Sequence, residues 1–78
     1  MKSSTGIVTR VFRKKNIGLI AGDDGITYGF CGDHVLDAEF CYDLSERRVR
    51  FNWDVIRRGQ RRARVAFNVE LIENGVFQ

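Results

Sequence analysis

Two stretches near the C-terminal end alternate between apolar and mostly polar residues, and this alternation constrains the fold more than any other feature of the chain. The first reads RVRFNWDVI, and its apolar positions are Val49, Phe51, Trp53 and Val55. The second reads ARVAFNVEL, and one of its faces carries Ala63, Val65, Phe67, Val69 and Leu71. Two runs of period two joined by a polar connection that contains glycine predict an antiparallel hairpin. We expect Trp53 and Phe67, which lie on these alternating faces, to be buried in the core.

The upstream half predicts three further strands. TGIVTRVF is rich in β-branched and aromatic residues, as strands are. NIGLIA and ITYGFC flank the sequence GDDG, and Asp-Gly between apolar runs predicts a hairpin turn. The stretch from Gly32 to Glu46 lacks alternation, so it is either a long irregular loop or contains one helical turn with Asp33 as its N-cap.

Five short antiparallel strands in 78 residues favour a closed barrel, because open strand edges invite aggregation. The five-stranded OB fold is the usual barrel of this size, and its binding face lies on strands two and three, bordered by neighbouring loops. We therefore predict an all-β, five-stranded antiparallel OB barrel. One domain covers residues 1–78, with the barrel at about 5–72 and a tail at 73–78.

Composition excludes several classes of function. No apolar run is long enough to span a membrane, and MKSSTGIVTR lacks the apolar core of a signal peptide, so we expect a cytoplasmic protein without a membrane partner. Cys31 and Cys41 lack zinc-site spacing and predict buried free thiols of a reducing compartment. A single histidine, no nucleophile motif and no phosphate-binding glycine loop predict neither an enzyme nor a metal or cofactor.

Several motifs resemble those of the cold-shock domain family. That family opens with G-x-V-K-W-F, matched here by Gly6, Ile7 and Val8, while Arg10 and Val11 stand at its Trp and Phe positions. Its first nucleic-acid motif, K-G-F-G-F-I, falls on residues 15–20, the DDG turn on 23–25, and its closing N-V on 68–69. Counted without a gap, the second motif, V-F-V-H, falls on 29–32. The resemblance covers about residues 5–72.

The resemblance implies a five-stranded barrel that binds single-stranded RNA or DNA on an outer face where bases stack on aromatic side chains. With the gapless match, the residues expected on that face are Arg10, Lys15, Ile17, Leu19, Tyr28 and Phe30. Only Tyr28 and Phe30 are aromatic, so the implied binding is weak. If residues 33–46 or the tail cover this face, the same apolar side chains are core instead.

Charge points to a second part of the site. Residues 1–40 carry five basic and five acidic side chains, whereas residues 41–78 carry eight arginines against five acids. Five arginines crowd the predicted last hairpin: Arg57, Arg58, Arg61, Arg62 and Arg64. They form either a solvated surface or a phosphate-binding rim, to which the 13–15 segment adds a second basic rim. The leading hypothesis is weak, charge-dominated nucleic-acid binding, and the alternative is a module for protein interaction or homodimer formation through the apolar face.

Overall fold

A computed structural model describes residues 2–36 and 42–72 of the chain. These residues form six strands: β1 (Lys2–Phe12), β2 (Ile17–Gly22), β3 (Thr27–Cys31), β4 (Val35–Leu36), β5 (Arg48–Arg58) and β6 (Arg61–Leu71). Short 3-10 turns occupy Arg13–Lys15, Gly32–His34 and Tyr42–Leu44. The predicted order of three strands, a long connection and two strands is confirmed, and β4 is a two-residue addition.

Five of the strands close into a barrel. β2 pairs with both β1 and β3, β1 also pairs with β5, and β5 pairs with β6, all antiparallel. β3 closes the circle by pairing parallel to β6, with Gly29 opposite Val65 and Phe30 opposite Ala66. The predicted all-β class and closed five-stranded barrel are confirmed, except that this closing pair is parallel where antiparallel strands were predicted, and the closure is consistent with an OB-like barrel. The described part of the chain contains no helix that is long and apolar enough to cross a membrane.

The barrel interior is filled by nine buried apolar side chains. They are Val8, Ile20, Tyr28, Phe30, Leu44, Val49, Phe51, Ala66 and Val69. The Tyr28 ring centroid lies 4.9 Å from that of Phe51 and 5.4 Å from that of Trp53, so aromatic contacts connect β3 to β5. Such tilted pairs add to the stabilisation that burial alone provides.

A β-bulge reverses part of the predicted facing of β6. Arg50 pairs with Glu70 but Asn52 pairs with Phe67, so β6 contains one extra residue at this point. Asn68 absorbs it with a φ of 53°, a left-handed conformation that asparagine tolerates better than most residues. Consequently Ala66 enters the core, and the prediction that Phe67 is core is wrong, because Phe67 lies half-buried on the outside.

Trp53 faces the barrel as predicted, yet it is only partly buried. Its ring packs against the core cluster at the end of the barrel, whereas Val49 and Phe51 on the same face are fully enclosed. Val55, which continues the same alternation, is 38% exposed because β5 continues beyond the barrel at this point. The alternation correctly predicted which side of β5 faces the barrel, but not how deeply each side chain is buried.

The connection between β3 and β5 differs in detail from both predictions. Its first helical turn has Cys31 as N-cap without a side-chain cap, and Asp33 lies inside the turn. Cys31 is a free thiol and is half-buried rather than buried. The predictions for Cys41, for residues 37–41 and for the tail at 73–78 concern positions that lie outside the described residues.

Strands β5 and β6 form an arm that extends beyond the barrel. Among the described residues, β1 pairs with β5 no farther than Trp53, and β3 pairs with β6 no earlier than Val65. We call the remaining hairpin, residues 54–64, the arm. It gives the molecule its elongated dimensions of 46 × 27 × 19 Å. Gly59 makes the turn with a φ of 62°, which matches the type II′ turn that suits a two-residue hairpin.

Candidate nucleic-acid interface

The exterior of β1, β2 and β3 is called the outer face, and it carries part of the predicted site. Ile17 is 41% exposed and Leu19 is half-buried there, as expected. Arg10 is exposed on β1 directly opposite Leu19, also as expected. Phe12, opposite Ile17, is a half-buried aromatic residue on the same face that the sequence interpretation missed. Because side chains two positions apart on a strand share a face, Phe12 could have been predicted from Arg10.

Tyr28 and Phe30 do not lie on the outer face, and the prediction that they form its stacking platform is wrong. Tyr28 is 0% and Phe30 is 3% exposed, and both fill the barrel. Phe30 pairs with Gly18 on the neighbouring strand β2, and a Cβ on Gly18 would lie only 2.5 Å from the Phe30 ring. The ring therefore occupies the space that the missing side chain of Gly18 leaves inside the barrel.

The outward positions of β3 are Gly29 and Cys31 instead. Gly29 pairs with Leu19 and Cys31 pairs with Ile17, both of which face outward. No atom lies within 4 Å of the position that a Cβ on Gly29 would take, so this part of the outer face is open. The match to the second cold-shock motif, counted without a gap, therefore assigns the residues of β3 to the wrong faces, because the outward positions lie one residue away.

Tyr28 is held in the barrel by the turn before β3. Its hydroxyl donates a 2.6 Å hydrogen bond to the Asp24 carboxylate, which also accepts the Ile26 amide at 3.0 Å. Burial of the ring and the hydrogen bond to Asp24 both raise the pKa of the Tyr28 hydroxyl. The hydrogen bonds from Tyr28 and Ile26 lower the pKa of Asp24. The predicted GDDG hairpin turn is confirmed, and its second aspartate is a structural residue.

Lys15 lies beside the outer face but not on β2, as the sequence interpretation had placed it. It is exposed in the 3-10 turn Arg13–Lys15, which ends at Asn16 in a left-handed conformation with a φ of 57°. The Asn16 side chain donates to Asp33 at 3.1 Å, which ties this turn to the end of β3. The basic turn is therefore fixed to the barrel at the far end of β1 from the arm.

The Trp53 ring contacts two cationic side chains at the base of the arm. The Lys2 ammonium lies 5.1 Å from the ring centroid and the Arg64 guanidinium carbon lies 4.6 Å from it. Both distances are within the range of cation–π attraction. Arg64 is half-buried by this contact, so it differs from the four other arginines of the predicted cluster.

Four exposed arginines surround the tip of the arm. Arg57 pairs with Arg62 and Arg58 pairs with Arg61 across the ribbon, so like charges stand directly opposite each other. Within the described residues, none of these four side chains forms a hydrogen bond or ion pair. Like charges opposite each other destabilise a sheet, and no carboxylate in the described ranges 2–36 and 42–72 pairs with these arginines.

The barrel arginines on β5 are paired, in contrast to those of the arm. Arg48 contacts Asp23 at 2.8 Å and Arg50 contacts Glu70 at 3.1 Å. The hydrogen bonds from Arg48 and Thr5 lower the pKa of Asp23. The unpaired positive charge that the structure describes on the β5–β6 hairpin is therefore concentrated on the arm.

Comparison with known proteins adds no family or function to this geometry. No protein family has a model that matches the chain, and no curated protein matches it significantly in sequence.

Proposed function

We propose that this protein binds nucleic acid and that the arm supplies most of the affinity. The observation that carries the proposal is the set of four exposed arginines, with no ion pair or hydrogen bond to another described residue, at the tip of a hairpin that extends beyond the barrel. Phosphate groups would relieve the repulsion between these side chains. Release of the counterions that accompany phosphates then drives binding without sequence preference.

The outer face adds weaker contacts to a single strand of RNA or DNA. Phe12 offers one partly exposed ring, and Arg10 and Lys15 offer charge beside it. Each base–aromatic stack is worth about 1–3 kcal/mol, so a face with one such ring contributes little compared with the arm. With Tyr28 and Phe30 in the core, binding is dominated by charge.

We also propose that the barrel is a divergent cold-shock-like OB domain. The parallel pairing of β3 with β6 and the DDG turn between β2 and β3 support this identity. The inward position of Phe30 separates the chain from the aromatic platform of that family.

A second candidate function is protein interaction or homodimer formation through the outer face. Ile7 at 37% and Ile17 at 41% exposure favour it, because both are large aliphatic side chains on that face. Sedimentation velocity of the wild type and of Ile17→Lys distinguishes this candidate. A dimer that the substitution dissociates supports it, and a monomer at high concentration excludes self-association.

A salt titration tests the leading proposal. Binding of a labelled oligonucleotide is measured at several salt concentrations for the wild type and for a variant with Gln at all four arm-tip arginines. Each phosphate contact that is lost should reduce the slope of log affinity against log salt by about 0.7 for single strands and about 0.9 for duplex DNA. An unchanged slope would mean that the four arginines are only a solvated surface.

A further inference from the structure

The arginines of the arm are distributed over both faces of the ribbon. Cross-strand partners share a face and alternate along the strands. Arg57 and Arg62 therefore lie on one face, together with Arg64, which pairs with Val55. Arg58 and Arg61 lie on the opposite face. Positive charge consequently flanks the ribbon on two sides.

A two-sided distribution of charge suits a groove better than a single strand. A single strand lying along the arm would place its phosphates against one face and leave the arginines of the other face unneutralised. The walls of a duplex groove instead present a row of phosphates to each side of an inserted element. Both arginine pairs then reach phosphate at the same time.

The dimensions of the arm fit the major groove of B-form DNA. The major groove is about 12 Å wide and admits a two-stranded β-ribbon together with its side chains. The arm has five residues before the Gly59–Gln60 turn and four after it, and five extended residues span about 17 Å, which exceeds the groove depth of about 8.5 Å. The minor groove of undistorted B-form DNA, about 6 Å wide, is narrower than such a ribbon, and the major groove of duplex RNA is deep and narrow.

We propose that the arm enters the major groove of duplex DNA, with Arg57 and Arg62 contacting phosphates on one wall and Arg58 and Arg61 contacting those on the other. This inference rests on the proposed function and specifies its substrate. The Gly59–Gln60 turn leads into the groove, and the barrel remains outside the duplex with Trp53, Lys2 and Arg64 at the base of the arm.

The test compares three ligands of the same sequence: a 20-bp DNA duplex, a 20-bp RNA duplex and a 20-nucleotide DNA single strand. Affinity is measured by fluorescence anisotropy over a range of salt concentrations. Dimethyl sulfate then reports protection of guanine N7 in the major groove and of adenine N3 in the minor groove. We expect the DNA duplex to bind at least 10-fold tighter than the other two ligands, with guanine N7 protected.

Two double variants separate the faces of the arm. Arg57→Gln with Arg62→Gln removes one pair, and Arg58→Gln with Arg61→Gln removes the other. Each double variant should reduce the salt slope on duplex DNA by about 1.8, which is two contacts at about 0.9 each. Arg48→Gln with Arg50→Gln is the matched control, because it removes two arginines that are ion-paired on the barrel. Melting curves of all three variants verify that they are folded.

The outcomes separate this inference from the proposed function. Three results would overturn the groove model and leave nucleic-acid binding intact. The first is binding of the single strand or of duplex RNA as tight as that of duplex DNA. The others are a salt slope that depends on only one face of the arm, and protection of adenine N3 alone. Absence of binding to all three ligands would overturn both proposals. Duplex-DNA preference with guanine N7 protection and equal contributions from both faces would support both.

Discussion

At the scale of single residues, the decisive pair is Gly18 and Phe30. They are cross-strand partners inside the barrel, and the Phe30 ring lies where any larger residue at position 18 would place its side chain. The large Phe30 ring therefore fits at this point because Gly18 has no side chain. This packing, rather than base stacking, is the role of Phe30.

The first prediction concerns the stability that Phe30 provides. Phe30→Ala should lower the free energy of unfolding by about 3–5 kcal/mol, because it leaves a cavity in a packed core. Urea denaturation measures the loss. Ile17→Ala is the control, since Ile17 is 41% exposed and its truncation should cost much less. Equal losses for the two variants would contradict the inward position of Phe30.

The second prediction restores an aromatic side chain to the outer face. Gly29 has no neighbour within 4 Å of its potential Cβ, so Gly29→Phe is accommodated and offers a new ring beside Leu19. Affinity for a DNA single strand should rise about 5- to 150-fold, the equivalent of one stack worth about 1–3 kcal/mol. Gly29→Leu provides apolar surface without a π face and should give a smaller gain. No difference between Phe and Leu would argue against stacking on this face.

At the scale of elements, the hairpin of β2 and β3 is controlled by its two turn aspartates. Asp23 bonds to Arg48 on β5, and Asp24 bonds to the Tyr28 hydroxyl. The turn therefore does more than reverse the chain, because it connects β2 to β5 and fixes the aromatic ring that fills the barrel.

The third prediction follows from the lowered pKa values of both aspartates. A carboxylate whose pKa is lower in the folded than in the unfolded state binds fewer protons when folded, so its stabilisation is present above the unfolded pKa. That stabilisation should be lost as pH falls below about 4, through the folded values. Thermal melts between pH 7 and pH 2 measure this effect. Asp23→Asn should show a shallower loss of stability with acid, and a loss as steep as that of the wild type would contradict a role for Asp23.

At the scale of the whole molecule, the barrel and the arm are separate in structure. The buried residues that the structure describes lie in the barrel strands or, for Leu44, in the turn packed against them, whereas Val55 and Ile56 on the arm are 38% and 39% exposed. The folded core thus does not depend on the arm tip.

The fourth prediction is that the arm can be removed without unfolding the barrel. Replacement of residues 56–63 by Asn-Gly joins Val55 to Arg64, which are already cross-strand partners, through a two-residue turn. The variant should retain a cooperative melt close to that of the wild type and lose at least 10-fold in affinity for nucleic acid. A variant that melts normally and binds normally would show that the arm does not carry binding.

The sequence by itself determined which segments are strands, because the alternation of Val49, Phe51 and Trp53 and the turn chemistry of GDDG are local properties. It also determined that the arginines would gather at one hairpin. The tertiary structure alone decided the facing of β3 and of half of β6. Phe30 points inward because Gly18 on another strand leaves room for it, and Phe67 points outward because Asn68 absorbs a bulge. Both depend on contacts between distant residues, and a displacement of one residue moves a side chain from one face of a strand to the other.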